Sequence, residues 1–139
     1  MILPQTAEYA LRAMAQMAAL PPGQAVRAAD LSKLTGIPEH YLSKIMRKLV
    51  APGLLVSEKG HGGGFRLALP LKKIRFIDIL AAFDFAVEPT RCAFGLGKCN
   101  PKNPCMLHPA FSQINDAYLK WATKTTLADV APPGQVDEP

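Results

Sequence analysis

The sequence predicts a mainly α-helical protein with a small β-hairpin wing: a winged helix-turn-helix domain followed by a long C-terminal dimerisation helix. Two observations predict this fold class. Amphipathic helical patterns flank a tight turn, and two short apolar runs around a glycine-rich segment follow them. A further amphipathic pattern lies near the C-terminus. With 139 residues, 49% of them hydrophobic, the chain can form one domain with an appended element.

The charge of the chain is uneven and suggests a division into segments. Residues 1–75 carry 11 Lys/Arg and 4 Asp/Glu, a net charge of +7, whereas residues 76–139 carry 5 and 7, a net charge of −2. The basic segment suits a polyanion such as nucleic acid. We therefore expect a DNA-binding domain in residues 1–75, a cysteine-rich loop with dimerisation helices in residues 76–130, and a disordered, proline-rich tail in residues 131–139.

Two helices are predicted before the tight turn. Thr6 is expected to cap the first, whose apolar residues recur at helical spacing until a Pro-Pro-Gly sequence ends it. The second runs from about Ala28 to Thr35, with Leu31 and Leu34 expected on its buried face. Gly36 then permits the sharp turn of a helix-turn-helix motif.

A third helix is predicted from Glu39 to about Ala51, with Pro38 in its first turn. One of its faces is an apolar stripe at i, i+3, i+4 and i+7 spacing, formed by Leu42, Ile45, Met46 and Leu49. The opposite face is polar and basic, as a helix lying in the DNA major groove requires. It carries residues expected to contact base edges (the first two) and phosphates: His40, Ser43, Lys44, Arg47 and Lys48.

A β-hairpin is predicted next, with strands at Leu54–Glu58 and Phe65–Leu69 and a glycine-rich turn between them. Small residues in this turn permit close approach to a sugar-phosphate backbone, and basic residues supply positive charge. The wing residues expected to contact DNA are Lys59, His61, Gly62, Gly63 and Arg66.

Two more helices are predicted towards the C-terminus, on either side of a cysteine-rich loop. The first spans Ile74 to Phe83, and the second runs from near Leu107 or Pro109 to about Thr123. Thr126 is expected to cap a last short turn. The long helix has an apolar stripe formed by Phe111, Ile114, Tyr118 and Trp121.

All three cysteines of the chain, Cys92, Cys99 and Cys105, lie in one 14-residue stretch rich in glycine and proline. An odd number of thiols in one loop favours a soft metal over a disulfide framework, with zinc or an iron–sulfur cluster as the candidates. His108 follows the last cysteine at C-x2-H spacing and would complete a Cys3His zinc site. The spacing alone therefore leaves zinc and an iron–sulfur cluster both open.

Several classes of protein are disfavoured by the sequence. The N-terminus lacks the features of a signal peptide, and no apolar run approaches the ~20 residues that span a bilayer, so we expect a cytoplasmic protein with no membrane partner. No His or Asp is placed as a base beside a cysteine, no phosphate-loop or serine-hydrolase motif occurs, and the GHGGG sequence opens no helix, so we expect no enzyme.

The chain resembles the Rrf-type family of bacterial transcription regulators, with its IscR- and NsrR-like iron–sulfur members. The resemblance covers nearly the whole chain. It rests on TAEYALRAM, on GIPEHYLSKIMRKLVAPGLLVSEKGHGGGFRLA, on the three-cysteine loop and on TTLADV. The first gap between cysteines is six residues here, one longer than is usual in those members.

The resemblance implies a homodimer that pairs through the long helix and reads a pseudo-palindromic site in double-stranded DNA. It also implies that the three cysteines hold a 2Fe-2S or 4Fe-4S cluster. The further ligand is either His108 or Glu8, the latter contributed by the other protomer, and an arrangement of two cysteines with both residues remains open. The expected function is a DNA-binding regulator, a repressor, gated by a cluster that senses redox state, nitric oxide or iron supply. The alternative is a zinc-stabilised protein-interaction module.

Overall fold

The structure, a computed structural model, describes residues 3–84 and 106–130, without the side chain of His108. The described part confirms the predicted fold class, with five α-helices and one two-stranded antiparallel hairpin. Short 3-10 helices lie at Leu71–Lys73 and Leu127–Asp129. The main elements are α1 (Gln5–Ala18), α2 (Ala28–Thr35), α3 (Glu39–Val50), β1 (Leu55–Glu58), β2 (Gly64–Leu67), α4 (Phe76–Ala81) and α5 (His108–Lys124).

Three local expectations were wrong. Helix α1 begins at Gln5 with Pro4 at its cap, so Thr6 lies inside the helix rather than capping it. Leu34 is 54% exposed, because only Leu31 of α2 enters the core. Helix α4 is shorter than predicted and begins at Phe76, after the Leu71–Lys73 turn.

The core forms around the buried face of α1. Its small side chains Ala10 and Ala13 and its Met14 are fully buried, and α2, α3 and α4 all pack against this helix. The predicted apolar stripe of α3 is confirmed, since all four of its members are buried: Leu42, Ile45, Met46 and Leu49. Burial of apolar surface at about 25 cal/mol per Å² is the main stabilising contribution to such a core.

The wing is tied to the rest of the domain by a third segment of extended backbone. In the hairpin, Leu55 pairs with Leu67 and Glu58 with Gly64. Beyond it, the backbone N–H groups of Val26 and Phe65 each donate to the other's carbonyl at 2.8 Å. The wing is therefore anchored to the segment that leads into α2.

Gly64 is required where the wing meets Val26. Its φ is +135°, and a Cβ at this position would lie 2.5 Å from the Val26 carbonyl oxygen. Backbone cannot yield as a flexible side chain can, so no other residue fits here without moving the strand.

Helix α5 and the final turn pack against α4 and the segment before it. Trp121 of α5 packs edge-on against Phe76, with 5.2 Å between ring centroids. The Thr126 side chain accepts from the backbone N–H of Ala128 at 3.2 Å, which confirms the predicted cap. The Leu127 N–H donates to the Ile74 carbonyl at 3.0 Å, so the final turn is bonded to the segment before α4. No helix of residues 3–84 and 106–130 has the length and hydropathy to cross a membrane.

Gly64→Ala should lower the free energy of unfolding by about 3 kcal/mol, the upper end of the cost of a strained backbone, because it adds a clash to an unfavourable φ. Gly23→Ala is the matched control: its φ is +77° and its Cβ would meet nothing within 4 Å. The control should cost only about 1 kcal/mol. Urea denaturation measures both, and equal losses would contradict a close approach at Gly64.

Candidate nucleic-acid interface

The turn between α2 and α3 is built from local hydrogen bonds. Gly36 ends α2 with a φ of +75°, and its N–H donates to the Ser32 carbonyl at 2.8 Å. The Ser32 hydroxyl in turn donates to the Ile37 carbonyl, and Ile37 itself is fully buried. These bonds fix the angle between α2 and α3.

The polar face of α3 is free of the core, as predicted. Exposed on it are His40, Lys44, Arg47 and Lys48, whereas Ser43 is half-buried. The Lys48 ammonium lies 5.8 Å from the centre of the Phe83 ring, which directs it towards the end of α4. Lys44 and Arg47, which were predicted to contact phosphates, both have exposed side chains.

Four of the wing residues predicted to contact DNA lie in the turn of the hairpin, and they differ in exposure. Lys59, His61 and Gly62 are exposed at the tip of the hairpin. Gly63 is buried, and a Cβ there would lie 2.6 Å from the Glu58 carbonyl oxygen, so the turn itself requires a glycine at this position.

Arg66 is already paired within the wing. Its Nε donates to the Glu58 carboxylate across the hairpin, and the two side chains are 37% and 41% exposed. A solvated ion pair of this kind is weak. It nevertheless places a carboxylate beside a guanidinium that was predicted to meet a phosphate.

An exposed aromatic residue on α3 was not among the site residues predicted from the sequence. Tyr41 is 51% exposed and stacks on His40, with 4.2 Å between ring centroids. The signal was available, because Tyr41 lies outside the apolar stripe of α3 in the otherwise polar sequence EHYLSK.

The predicted metal ligands are only partly visible. Cys92, Cys99 and Cys105 lie outside the described residues, as does the side chain of His108, whose backbone begins α5. Glu8 lies in the first turn of α1 and is half-buried. Within the described ranges, no group of three or more His, Cys, Asp or Glu residues is placed to hold a metal ion.

An apolar groove follows the stripe predicted for dimerisation. Ile114 is 58% and Trp121 38% exposed, although both are large and apolar. Leu3 comes alongside them from the N-terminus. Desolvation by burial raises the pKa of Tyr118 above its usual value, so its hydroxyl stays neutral in this groove at ordinary pH. The groove is lined by Leu3, Ile114, Ala117, Tyr118 and Trp121.

Comparison with known sequences gives consistent matches. The profile of the Rrf2 family, described as an iron-dependent transcriptional regulator, matches residues 3–133. The HTH-type transcriptional regulator IscR of Vibrio campbellii (strain ATCC BAA-1116) is 30% identical over 138 residues, which cover 99% of this chain and 82% of the relative. IscR of Escherichia coli O1:K1 / APEC is 30% identical over 130 residues, covering 94% and 80%.

Solved structures share the fold. CymR of B. subtilis, the global cysteine regulator, superimposes with a TM-score of 0.79 at 21% identity, covering 94% of this chain and 96% of that one. T. potens IscR superimposes with a TM-score of 0.72 at 20% identity, covering 93% and 85%.

Arg47→Ala and Lys44→Ala should each weaken binding to duplex DNA and leave any visible absorbance of the protein unchanged. The slope of log K against log salt concentration should become shallower by about 0.9 for each phosphate that is no longer bound. Fluorescence anisotropy across a salt series measures the slope. If either variant lost its visible absorbance as well as DNA binding, the residues of α3 would not be acting separately from the group that absorbs.

Proposed function

Because the chain belongs to the Rrf2 family of DNA-binding transcription regulators, we propose that an iron–sulfur cluster at Cys92, Cys99 and Cys105 controls its binding to an operator. The observation that carries this proposal is the position of the three cysteines, in the segment that connects α4 with α5. The relatives it matches are transcription regulators rather than enzymes, and some are named IscR. A regulator of this kind would act as a repressor in the cytoplasm.

The donor set fits such a cluster. Three thiolates in one short segment suit iron, and Arg91, Lys98 and Lys102 bring positive charge to the same segment, which favours bound anions. When bound, the cluster would supply reactivity towards oxidants, nitric oxide and iron shortage. Glu8 of the partner protomer or His108 would provide the remaining ligand, and a two-cysteine arrangement would use both.

A second copy of the chain is the expected partner of the apolar groove on α5. Ile114 and Trp121 are large exposed apolar residues on one helix face, and a two-fold dimer would remove them from water. Two α3 helices would then read the two halves of a pseudo-palindromic operator. In the dimer that the family resemblance implies, Glu8 of one protomer would reach the cysteine segment of the other.

Contacts made by α4 and α5 would transmit the loss or damage of the cluster to α3. Helix α4 precedes the cysteine segment in the sequence, and the ring of Phe83, just after this helix, has its centre 5.8 Å from the Lys48 ammonium of α3. Helix α5 lies directly after the loop, and its Trp121 packs on Phe76. A shift of either helix would change the spacing of the two α3 helices, and a coupling free energy of ~1–3 kcal/mol would suffice to alter operator occupancy.

The alternative function is a zinc-stabilised protein-interaction module. It is favoured by the C-x2-H spacing of Cys105 and His108, which suits a closed Cys3His zinc site. In that case the cysteine segment would be structural, and the wing and α5 would bind a protein. Metal content and the salt dependence of DNA binding separate the two functions.

Protein purified without oxygen should be coloured and should contain iron and acid-labile sulfide. The Cys92→Ser variant should lose the colour, the iron and the sulfide. Ultraviolet–visible spectroscopy with iron, sulfide and zinc analysis measures this. Colourless wild-type protein holding stoichiometric zinc would overturn the cluster proposal while leaving DNA binding intact.

Glu8→Ala and His108→Ala should separate the ligand arrangements, since only the substitution of a true ligand changes the visible spectrum. Glu39→Ala is the matched control for Glu8, because Glu39 is likewise the acidic residue in the first turn of a helix. A change with Glu39→Ala of the same size would mean that helix-end charge, not ligation, is being measured. An unchanged spectrum in both ligand variants would assign the fourth position to another group.

A further inference from the structure

Four side chains form a continuous stack that joins α1 to the start of α3. His40 packs on Tyr41, and the Tyr41 ring lies 6.4 Å from that of Tyr9 on α1. The guanidinium carbon of Arg12 lies 5.5 Å from the centre of the Tyr9 ring. We call His40, Tyr41, Tyr9 and Arg12 the α1–α3 stack.

Three members of the stack lie at the surface, and Tyr9 is half-buried against the core. Tyr41 is 51% exposed, and Arg12 and His40 are also exposed, whereas the faces of α1 and α3 that hold the domain together are buried elsewhere on these helices. Aromatic rings on a surface position a cation by stacking, and Arg is the residue that combines such stacking with free donors for a phosphate.

Arg12 is held beside the helix-turn-helix turn. Its terminal nitrogen lies 3.5 Å from the carbonyl oxygen of Thr35, the last residue of α2. In helix-turn-helix proteins the helix before the recognition helix crosses the DNA backbone. A cation at the end of α2 and next to the start of α3 is therefore placed where a phosphate flanks the major groove.

Most N–H donors of Arg12 are not used by its contact with Thr35. A guanidinium carries five N–H donors, and the contact with Thr35 uses one of its nitrogens. Within the part of the chain that the structure describes, Arg12 forms no ion pair with a carboxylate, in contrast to Arg66 with Glu58. Gln5 donates to the Tyr9 hydroxyl at 3.0 Å and helps to hold the ring under the guanidinium.

We propose that Arg12 contacts a DNA phosphate and that Tyr9 and Tyr41 position it, so that the DNA interface extends from α3 and the wing onto α1. The ligand is the sugar-phosphate backbone of duplex DNA, and the contact is independent of base sequence. The proposal deepens the DNA-binding function and depends on it.

The test uses the full-length chain and a labelled duplex of arbitrary sequence, because a phosphate contact does not depend on the operator. Fluorescence anisotropy across a potassium chloride series gives the affinity and its salt slope. Arg12→Ala should make the slope shallower by about 0.9 for each phosphate that Arg12 binds, and should weaken binding about threefold per phosphate at moderate salt. Arg12→Lys should keep the slope, since it keeps the charge.

Two further positions separate phosphate contact from other effects. Lys120→Ala removes one exposed positive charge from α5 and should leave the slope unchanged, because this residue lies outside the proposed interface. Tyr41→Ala should make the slope shallower as Arg12→Ala does, whereas Tyr41→Phe should keep it because the ring is retained.

A slope for Arg12→Ala equal to that of the wild type would overturn the proposal, even if the affinity fell, because a purely structural role changes affinity without changing the number of phosphates contacted. An equal change with Lys120→Ala would overturn it as well, by showing an effect of net charge alone. Failure of the wild type to bind any duplex would instead contradict the DNA-binding function itself.

Discussion

The close packing of α1 is the constraint on which the rest of the structure depends. Ala7, Ala10 and Ala13 are fully buried, and their small side chains let α2, α3 and α4 approach the same helix. Interiors are packed as densely as organic crystals, so a larger side chain on this face would displace a neighbouring helix. The orientation of α3, and with it the DNA-binding surface, is therefore set by small residues in the core of the domain.

The same helix contacts α3 on one side and the α4–α5 pair on the other. Tyr9 and Arg12 lie towards α3, whereas Ala7 packs with Leu80 of α4 and Ala122 of α5 in a second apolar cluster. A displacement at the α4–α5 side would therefore reach the α3 side through one rigid element. Under the proposed function, α1 would carry a change in the cysteine segment between α4 and α5 to the DNA-binding helix.

The sequence was sufficient to predict the fold wherever a pattern is local and repeated, as in the buried stripe of α3, which runs from Leu42 to Leu49 over about two helical turns. Helix α2 has eight residues, too few for its period to decide whether Leu34 faces the core, and it does not. Contacts between distant residues were beyond local rules, because the Tyr9–Tyr41 contact depends on how α1 crosses α3. The cysteine ligand set rests on residue type, spacing and the family resemblance, since the described residues include none of the three thiols.

The anchoring of the wing limits which parts of the domain can move relative to each other. Two backbone hydrogen bonds between Val26 and Phe65, and the Gly64 backbone that approaches Val26, attach the hairpin to the segment before α2. The bonded turn at Gly36 fixes α3 to α2 in the same domain. Wing and α3 are thus held in one unit whose internal geometry is costly to change. Under the proposed function, a change in the cysteine segment would accordingly move this unit as a whole rather than alter its internal geometry.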